Sequence, residues 1–307
     1  MTSDVFARIT RLAGALLLVG AGFACSRLAA PAPGNVFDTP ESAVRSLNEA
    51  VAKGDLARVV QMFGSEGQDL IDSSDQETAS RSRQVFVAAM KEAWHLEDQG
   101  AAKVLIVGNE SWPFPVPLVK DGTGWRFDTA AGKEEVLARR IGRNELAVIR
   151  ICRTYVAAQR VYAASAHDAN PKGIYAASFR SDTGRQNGLY WPTKAGQPRS
   201  PLGDLLQEAE QRGSEAAASP FHGYYFRILT GQGPSATGGA KDYLANGRMT
   251  TGFALIASPA HYDATGVMTF IVNQDGVVYE KDLGPDTEAA VKNVRVYDPD
   301  QSWMHAN

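Results

Sequence analysis

The sequence is poor in cysteine and histidine and has no surplus of basic residues. Its 307 residues include 2 cysteines and 5 histidines, and 31 lysines and arginines stand against 34 aspartates and glutamates, for a formal net charge of −3 at pH 7. Such a chain lacks the positive field that attracts phosphate backbones, so a nucleic-acid partner is not expected. Hydrophobic residues make up 44% of the chain, which is enough to bury the cores of two ordinary domains.

Histidines, which often serve as catalytic or metal-binding residues, are few and lie far apart in the sequence. No two histidines have the i, i+4 spacing of a helical zinc site. The histidines are His95, His167, His222, His261 and His305. The segment "GPSATGGAK" fails as a phosphate loop because Gly239 stands where the lysine must be, and "DANPKG" fails as a calcium loop because Lys172 occupies a ligand position. We therefore predict neither a metal nor a cofactor.

An apolar run near the N-terminus predicts export. The run "LAGALLLVGAGFA" is shorter than the ~20 residues of a transmembrane helix and follows Arg8 and Arg11. This arrangement predicts a secretory signal over residues 1–25, followed by a tether rich in Pro and Ala over residues 26–37. The expected location is the periplasm, and we expect the protein to contact the membrane through a lipid anchor alone.

The end of this run decides what happens to the first cysteine. Ala24 precedes Cys25 in "GFACS", which resembles the lipobox of bacterial lipoproteins and implies acylation of Cys25. Plain cleavage near Ala24 or Ala32 remains the alternative. If Cys25 is acylated or removed, Cys152 has no disulfide partner, and its place in an apolar stripe predicts a buried, unreactive side chain.

Residues 38–142 are predicted to form an N-terminal domain in which helices precede a curled sheet. Thr39 is suited to cap a first helix that Gly54 ends, and "ASRSRQVFVAAMKEAWHLED" predicts a second helix. The segments "AAKVLIVG" and "SWPFPVPLVKDGTGWRFDT" predict strands, the proline-rich one at an edge. Gly142 is expected to end the last helix and to mark the domain boundary.

Residues 143–303 are predicted to form a C-terminal domain of a long helix packed on an antiparallel sheet. Asn144 is suited to cap this helix, and its apolar residues fall on one stripe. The stripe consists of Val148, Ile151, Cys152, Tyr155 and Tyr162. The segments "HGYYFRILT", "GFALIASP", "GVMTFIVN" and "GVVYEKDL" predict strands, and Asn273–Gly276 predicts the turn of a hairpin. The predicted class is α+β.

Several phrases of the sequence resemble known families. The segments "GLYWP", "PFHGYYFRILTGQGP" and "GVMTFIVNQDGVVYEKDLG" resemble the bacterial exported-protein family known as domain of unknown function 2950 (DUF2950), which implies an envelope protein and no particular activity. The opening helices with "AVAKGD" resemble the nuclear-transport-factor-like (NTF2-like) cone fold. The long helix and the sheet after it resemble the globular part of type IV pilins, although the membrane-anchoring half of a pilin helix is missing.

Aromatic residues supply the candidates for binding. In the N-terminal domain Trp125 and Phe127 are predicted to share an apolar face with Trp112 and Phe114, as core packing or as a groove for an extended peptide or a small apolar ligand. In the C-terminal domain the candidates for stacking on a ligand or partner are aromatic residues, and packing in the core is their alternative role. They are Tyr190, Trp191, Tyr224 and Tyr225.

Two functions are compatible with these features. The preferred one is a non-catalytic binding or scaffolding module that presents an aromatic surface to an envelope protein or a peptidoglycan-associated partner. The alternative is a periplasmic hydrolase in which His222 acts as general base beside Asp182. His222 is also a candidate for partner binding.

Overall fold

The computed structural model describes most of the chain, namely residues 34–71, 76–168, 170–193, 196–211 and 219–306. Runs of helices are followed by runs of antiparallel strands, which confirms the predicted α+β class. The chain divides into two compact units, called here unit 1, up to Arg139, and unit 2, from Arg140 onward. The predicted signal, including Cys25, lies outside the described residues.

Four helices open the described part of unit 1. They are α1 (Pro40–Lys53), α2 (Leu56–Phe63), α3 (Gly67–Ile71) and α4 (Gln76–Glu92). The predicted start of α1 is confirmed, because the Ser42 N–H donates to Thr39 Oγ1 at 3.1 Å and the Thr39 N–H donates to Ser42 Oγ at 3.3 Å. Gly54 ends the helix with a left-handed φ of 69°, as predicted.

An antiparallel sheet follows these helices in unit 1. Its strands are β1 (Trp94–Gln99), β2 (Ala102–Val107), β3 (Trp112–Pro113), β4 (Leu118–Asp121) and β5 (Gly124–Phe127), in the order β1-β2-β4-β5 with β3 also paired to β2. The prediction of a second helix is confirmed up to Glu92 and is wrong for the residues after it. Trp94 and Leu96 alternate with polar residues, a period of two, and this segment pairs with β2 as a strand.

The proline-rich segment makes a shorter edge pairing than predicted. After β3, the Phe114 N–H still donates to the Leu105 carbonyl at 2.7 Å, but the chain then bends at Pro115 and Val116. Proline has no N–H to continue a ladder, so β3 and β4 pair with separate segments of β2.

The core of unit 1 includes a residue that the sequence places at the end of the tether. Phe37 lies edge-on to Phe127 with ring centroids 6.3 Å apart, and Phe63 lies on the same ring at 5.2 Å. The backbones of Phe37 and Trp125 also exchange two hydrogen bonds of 2.7 Å. Folded structure therefore begins before the predicted start at residue 38.

The sequence predicts two helices that meet near Gly142, and this prediction is wrong. One continuous helix, α5 (Thr129–Ala163), spans the region. Gly142 does not have the left-handed φ of a helix-ending glycine. A glycine inside a helix costs about 1 kcal/mol relative to alanine, which the packing of a long helix offsets. Asn144 does not cap a helix either, because its side-chain amide donates to the Thr265 carbonyl at 2.9 Å.

The main sheet of unit 2 has the strand order β14-β13-β12-β11-β6. These strands are β6 (Tyr224–Leu229), β11 (Ala254–Pro259), β12 (Met268–Asn273), β13 (Val278–Asp282) and β14 (Met304–His305). The first four confirm the predicted strands. Two-residue strands also pair, β7 (Gly231–Gln232) with β8 (Lys241–Asp242) and β9 (Leu244–Ala245) with β10 (Arg248–Met249). The helices α6 (Gly203–Gln211) and α7 (Thr287–Asn293) were not predicted.

The C-terminal half of α5 supplies the core of unit 2. All five residues of the predicted stripe are buried, and Cys152 and Tyr162 are completely inaccessible. The buried Gln159 side chain donates to the Ala176 carbonyl at 2.8 Å and accepts from the Ala176 N–H at 2.9 Å. This reciprocal bond ties the chain that follows α5 back to the helix.

The segment Asn273–Gly276 is a turn, as predicted. Gly276 has a φ of 83°, and its N–H donates to the Asn273 carbonyl at 3.0 Å. Val272 and Val278 close the hairpin as cross-strand partners. The polar side chains here serve the fold, because Gln274 Oε1 accepts from the Phe253 N–H at 3.2 Å.

The continuity of α5 makes a testable prediction. Alanine at Gly142 has open space for its Cβ and a helical backbone, so Gly142→Ala should raise the free energy of unfolding by about 0.5–1 kcal/mol. Urea denaturation of the full chain, followed by circular dichroism, measures the change.

Gly284→Ala is the matched control within unit 2. Its Cβ would also meet nothing within 4 Å, but its φ is +79°, so the same substitution should lower stability by about 1 kcal/mol. A loss of stability in Gly142→Ala would contradict the continuous helix.

Candidate functional site

A cleft in unit 2 brings together two of the aromatic residues predicted to bind. It has a volume of about 490 Å³ and lies between the loop after Leu189 and the start of α6. We call it the aromatic cleft. The lining residues on which the argument depends are Tyr190, Trp191, Thr193, Gln197, Arg199, Asp204 and Gln207.

Backbone pairing holds Tyr190 at the edge of this cleft. The Tyr190 N–H donates to the Phe179 carbonyl at 2.8 Å, and the Ser181 N–H donates to the Tyr190 carbonyl at 2.8 Å, a short parallel bridge. The Arg180 guanidinium lies 5.1 Å from the centre of the Tyr190 ring. A cation over an aromatic face is attractive, so both the backbone and the ring are fixed.

Trp191 is held by a stack of rings that begins on α5. The His167 ring lies parallel to the Tyr162 ring at 4.3 Å, and Trp191 contacts His167 at 5.4 Å and Tyr162 at 6.5 Å. His167 Nε2 donates to the Tyr162 carbonyl at 3.0 Å, and the Tyr162 hydroxyl donates to the Gln186 carbonyl at 2.9 Å. Sequence reasoning missed this role of His167, since the residue lies far from Trp191 in the chain.

A second, apolar cavity of about 530 Å³ lies in the same unit. Helix α5 contributes Ile151 and Tyr155 to its wall, and α6 contributes Leu205 and Leu206. Phe226 of the main sheet completes this group. The spacing of leucines in "PLGDLLQEAEQ" was the sequence signal for α6 and for its contribution to this wall.

His222 lies beside this cavity and pairs with an acid that the sequence analysis did not name. Its Nε2 is 3.5 Å from Glu208 Oε1 of α6, and its side chain is 19% exposed. The residue has a φ of 49°, and its ring contacts the Phe221 ring, which lines the cavity, at 4.4 Å. Glu208, rather than Asp182, is therefore the carboxylate within reach of His222.

Asp182 belongs to a separate turn. Its carboxylate accepts from the Asn187 side-chain amide at 2.7 Å, and its N–H donates to Asn187 Oδ1 at 2.9 Å. The side chain stabilises the exposed loop that leads to the aromatic cleft.

Tyr224 is part of the core and is not available to a partner. It is completely buried, and its hydroxyl donates to the Met268 carbonyl at 2.9 Å. Burial, reinforced by the neighbouring Glu145 carboxylate, holds the pKa of Tyr224 far above its usual value. Glu145 also accepts from the N–H groups of Val267 and Met268 at 2.9 and 3.0 Å, a structural role that the sequence did not predict.

The aromatic candidates of unit 1 lie in different surroundings. Trp112 is 45% exposed, with the Arg139 guanidinium 5.5 Å from its ring centre and Phe114 edge-on at 6.3 Å. Phe114 is half-buried against Phe86, with ring centroids 5.5 Å apart.

Trp125 has lysines for neighbours. Lys103 and Lys120 hold their ammonium groups 5.9 and 5.8 Å from its ring centre. Its strand neighbour Phe127 is buried in the core of unit 1, and Trp125 packs half-buried against the same core.

The chain can now be compared with known proteins. It matches the family described as "Protein of unknown function (DUF2950)" over residues 34–306. The chain belongs to the DUF2950 family. Neither the curated proteins nor the solved structures provide a match, so the pilin-like and NTF2-like resemblances stay predictions.

Two structural findings apply to the described residues of this DUF2950 protein. They contain no group of three or more His, Cys, Asp or Glu side chains placed to hold a metal ion. No helix among them combines the length and the apolar character that crossing a membrane requires.

The thiol of Cys152 is closed off from solvent. It lies unpaired with any other cysteine in the core, and burial raises its pKa to about 12. A thiol that is both neutral near pH 8 and inaccessible cannot act as a nucleophile there.

This burial predicts the reactivity of the thiol. In a Cys25→Ser protein, where Cys152 is the remaining cysteine, an aromatic disulfide reagent at pH 8 should label almost no thiol in the native state and one thiol per chain in guanidinium chloride. Rapid labelling of the native protein would show that the helix face is open and would contradict this arrangement.

Proposed function

We propose that this protein is an exported, non-catalytic binding module of the cell envelope that captures an envelope protein or a peptidoglycan-associated partner through its aromatic cleft. Export is inferred from the signal predicted over residues 1–25, and Cys25 is the proposed site of a lipid anchor. The periplasm is the proposed location.

The observation that carries the proposal is the rigid support of Tyr190 and Trp191. Both rings are half-buried and each contacts a neighbouring ring or cation that fixes its orientation. Aromatic side chains held in this way offer a large contact area with little entropy left to lose, which is why Trp and Tyr are frequent at the centres of interfaces.

The proposal predicts that Trp191→Ala weakens capture. The protein is crosslinked in the native envelope, and its partners are identified and quantified by mass spectrometry. Loss of a central aromatic residue commonly costs about 2 kcal/mol or more, so recovery of the partner should fall about tenfold or more.

Tyr225→Ala is the matched control for this experiment. Tyr225 is an aromatic residue of the same unit that is 42% exposed and does not line the cleft. Its removal should leave capture unchanged. Retention of the partner at full strength by Trp191→Ala would count against the cleft as the capture site.

A second candidate function is a periplasmic hydrolase, and the pairing of His222 with Glu208 favours it. A histidine oriented by a carboxylate is the arrangement of a general base, and the 3.5 Å separation is within the loose geometry of an unliganded site. The adjacent apolar cavity could hold an acyl or aromatic group of a substrate.

This alternative predicts turnover in a screen of ester, amide and glycoside substrates. Both His222→Ala and Glu208→Gln should lower it, the first by about 100-fold or more. Activity that survives His222→Ala would exclude this residue from the mechanism.

A further inference from the structure

The aromatic cleft contains side chains of a particular chemical kind besides its two rings. Gln197 and Gln207 are amides, which both donate and accept hydrogen bonds, and Thr193 offers an exposed hydroxyl. Apart from the two rings, the described lining residues are polar, glycine or proline. The described lining of the cleft therefore offers no apolar subsite for the side chain of a peptide, and it offers hydrogen-bonding partners for hydroxyl and amide groups.

The charges of the described lining residues balance each other. Arg199 and Asp204 are the charged ones among them, and they pair with each other. Their side chains are 71% and 75% exposed, so the pair contributes little to stability and can exchange partners with a ligand. One cation beside one anion in this described lining favours a neutral ligand that has both donors and acceptors.

We propose that the aromatic cleft binds a neutral saccharide. The C–H face of a pyranose ring stacks on the rings of Tyr190 and Trp191, and its hydroxyls exchange hydrogen bonds with the amides and with the Arg199–Asp204 pair. The volume of about 490 Å³ is within the range of about 300–1,000 Å³ for small-ligand sites. This inference rests on the proposed function, because it names the ligand class of the same cleft.

The test titrates the purified protein with chitotetraose, cellotetraose and maltotetraose, all neutral, and with tetragalacturonate, which is anionic. Binding is measured by isothermal titration calorimetry and by tryptophan fluorescence. At least one neutral oligosaccharide should bind saturably, and more tightly than the anionic one.

Two variants assign the binding to the cleft. Trp191→Ala should weaken it about tenfold or more. Tyr225→Ala should leave both the binding and the melting temperature of the free protein unchanged.

The outcomes separate this inference from the proposed function. Absence of saturable binding by every neutral oligosaccharide overturns the inference, as does preference for the anionic one or binding that Trp191→Ala leaves intact. If a Trp191-dependent protein partner is nevertheless captured in the envelope, the proposed function stands and the ligand is a protein surface. If both experiments fail, both proposals fall.

Discussion

The packing of the tyrosine-bearing face of α5 against the antiparallel sheet is the constraint on which the rest of unit 2 depends. Tyr155 lies edge-on to Phe253 at 5.6 Å, and its hydroxyl donates to the Ala254 carbonyl of β11 at 3.3 Å. Gln159 holds Ala176 through two hydrogen bonds, and Tyr162 holds Gln186 through another. One face of one helix therefore positions both the sheet and the long connection that follows the helix.

The two concave sites of unit 2 are consequences of this packing. The connection after α5 contains little regular structure of its own, and its course depends on side chains that reach back to the helix. The Tyr162 ring of α5 stacks on His167, and His167 contacts Trp191. The position of Trp191 in the aromatic cleft therefore depends on α5. Tyr155, on the same face, lines the apolar cavity instead. Both sites therefore depend on residues that are seven positions apart on α5.

How much of this could be predicted from the sequence varied with the range of the interactions involved. Local signals were sufficient for the cap at Thr39, the stop at Gly54 and the hairpin turn at Gly276, because each is decided by residues within a few positions. They failed at Gly142. Glycine ends α1 at Gly54, but Gly142 lies inside α5, where packing along the length of the helix offsets the cost of a glycine. They also failed for Trp94, since its strand depends on pairing with β2.

The candidate site was less predictable than the fold. The sequence singled out Tyr190 and Trp191 by their chemistry, but nothing local distinguishes them from Tyr224, which is completely buried. Glu208 was missed because its helix was missed, and its pairing with His222 joins α6 to the residues just before β6. Such pairings depend on tertiary structure, and a periodicity argument has no access to them.

Hydrogen–deuterium exchange of wild type and Tyr162→Phe tests most directly whether α5 organises the aromatic cleft. The substitution removes one hydroxyl, which donates to the Gln186 carbonyl and accepts from the Asn170 side chain at 3.2 Å. The account predicts faster exchange in residues 170–191, with amides of the buried segment of α5 from Ala147 to Ala158 unchanged. Unchanged exchange in residues 170–191 would contradict it, because the loop would then hold its position without the helix.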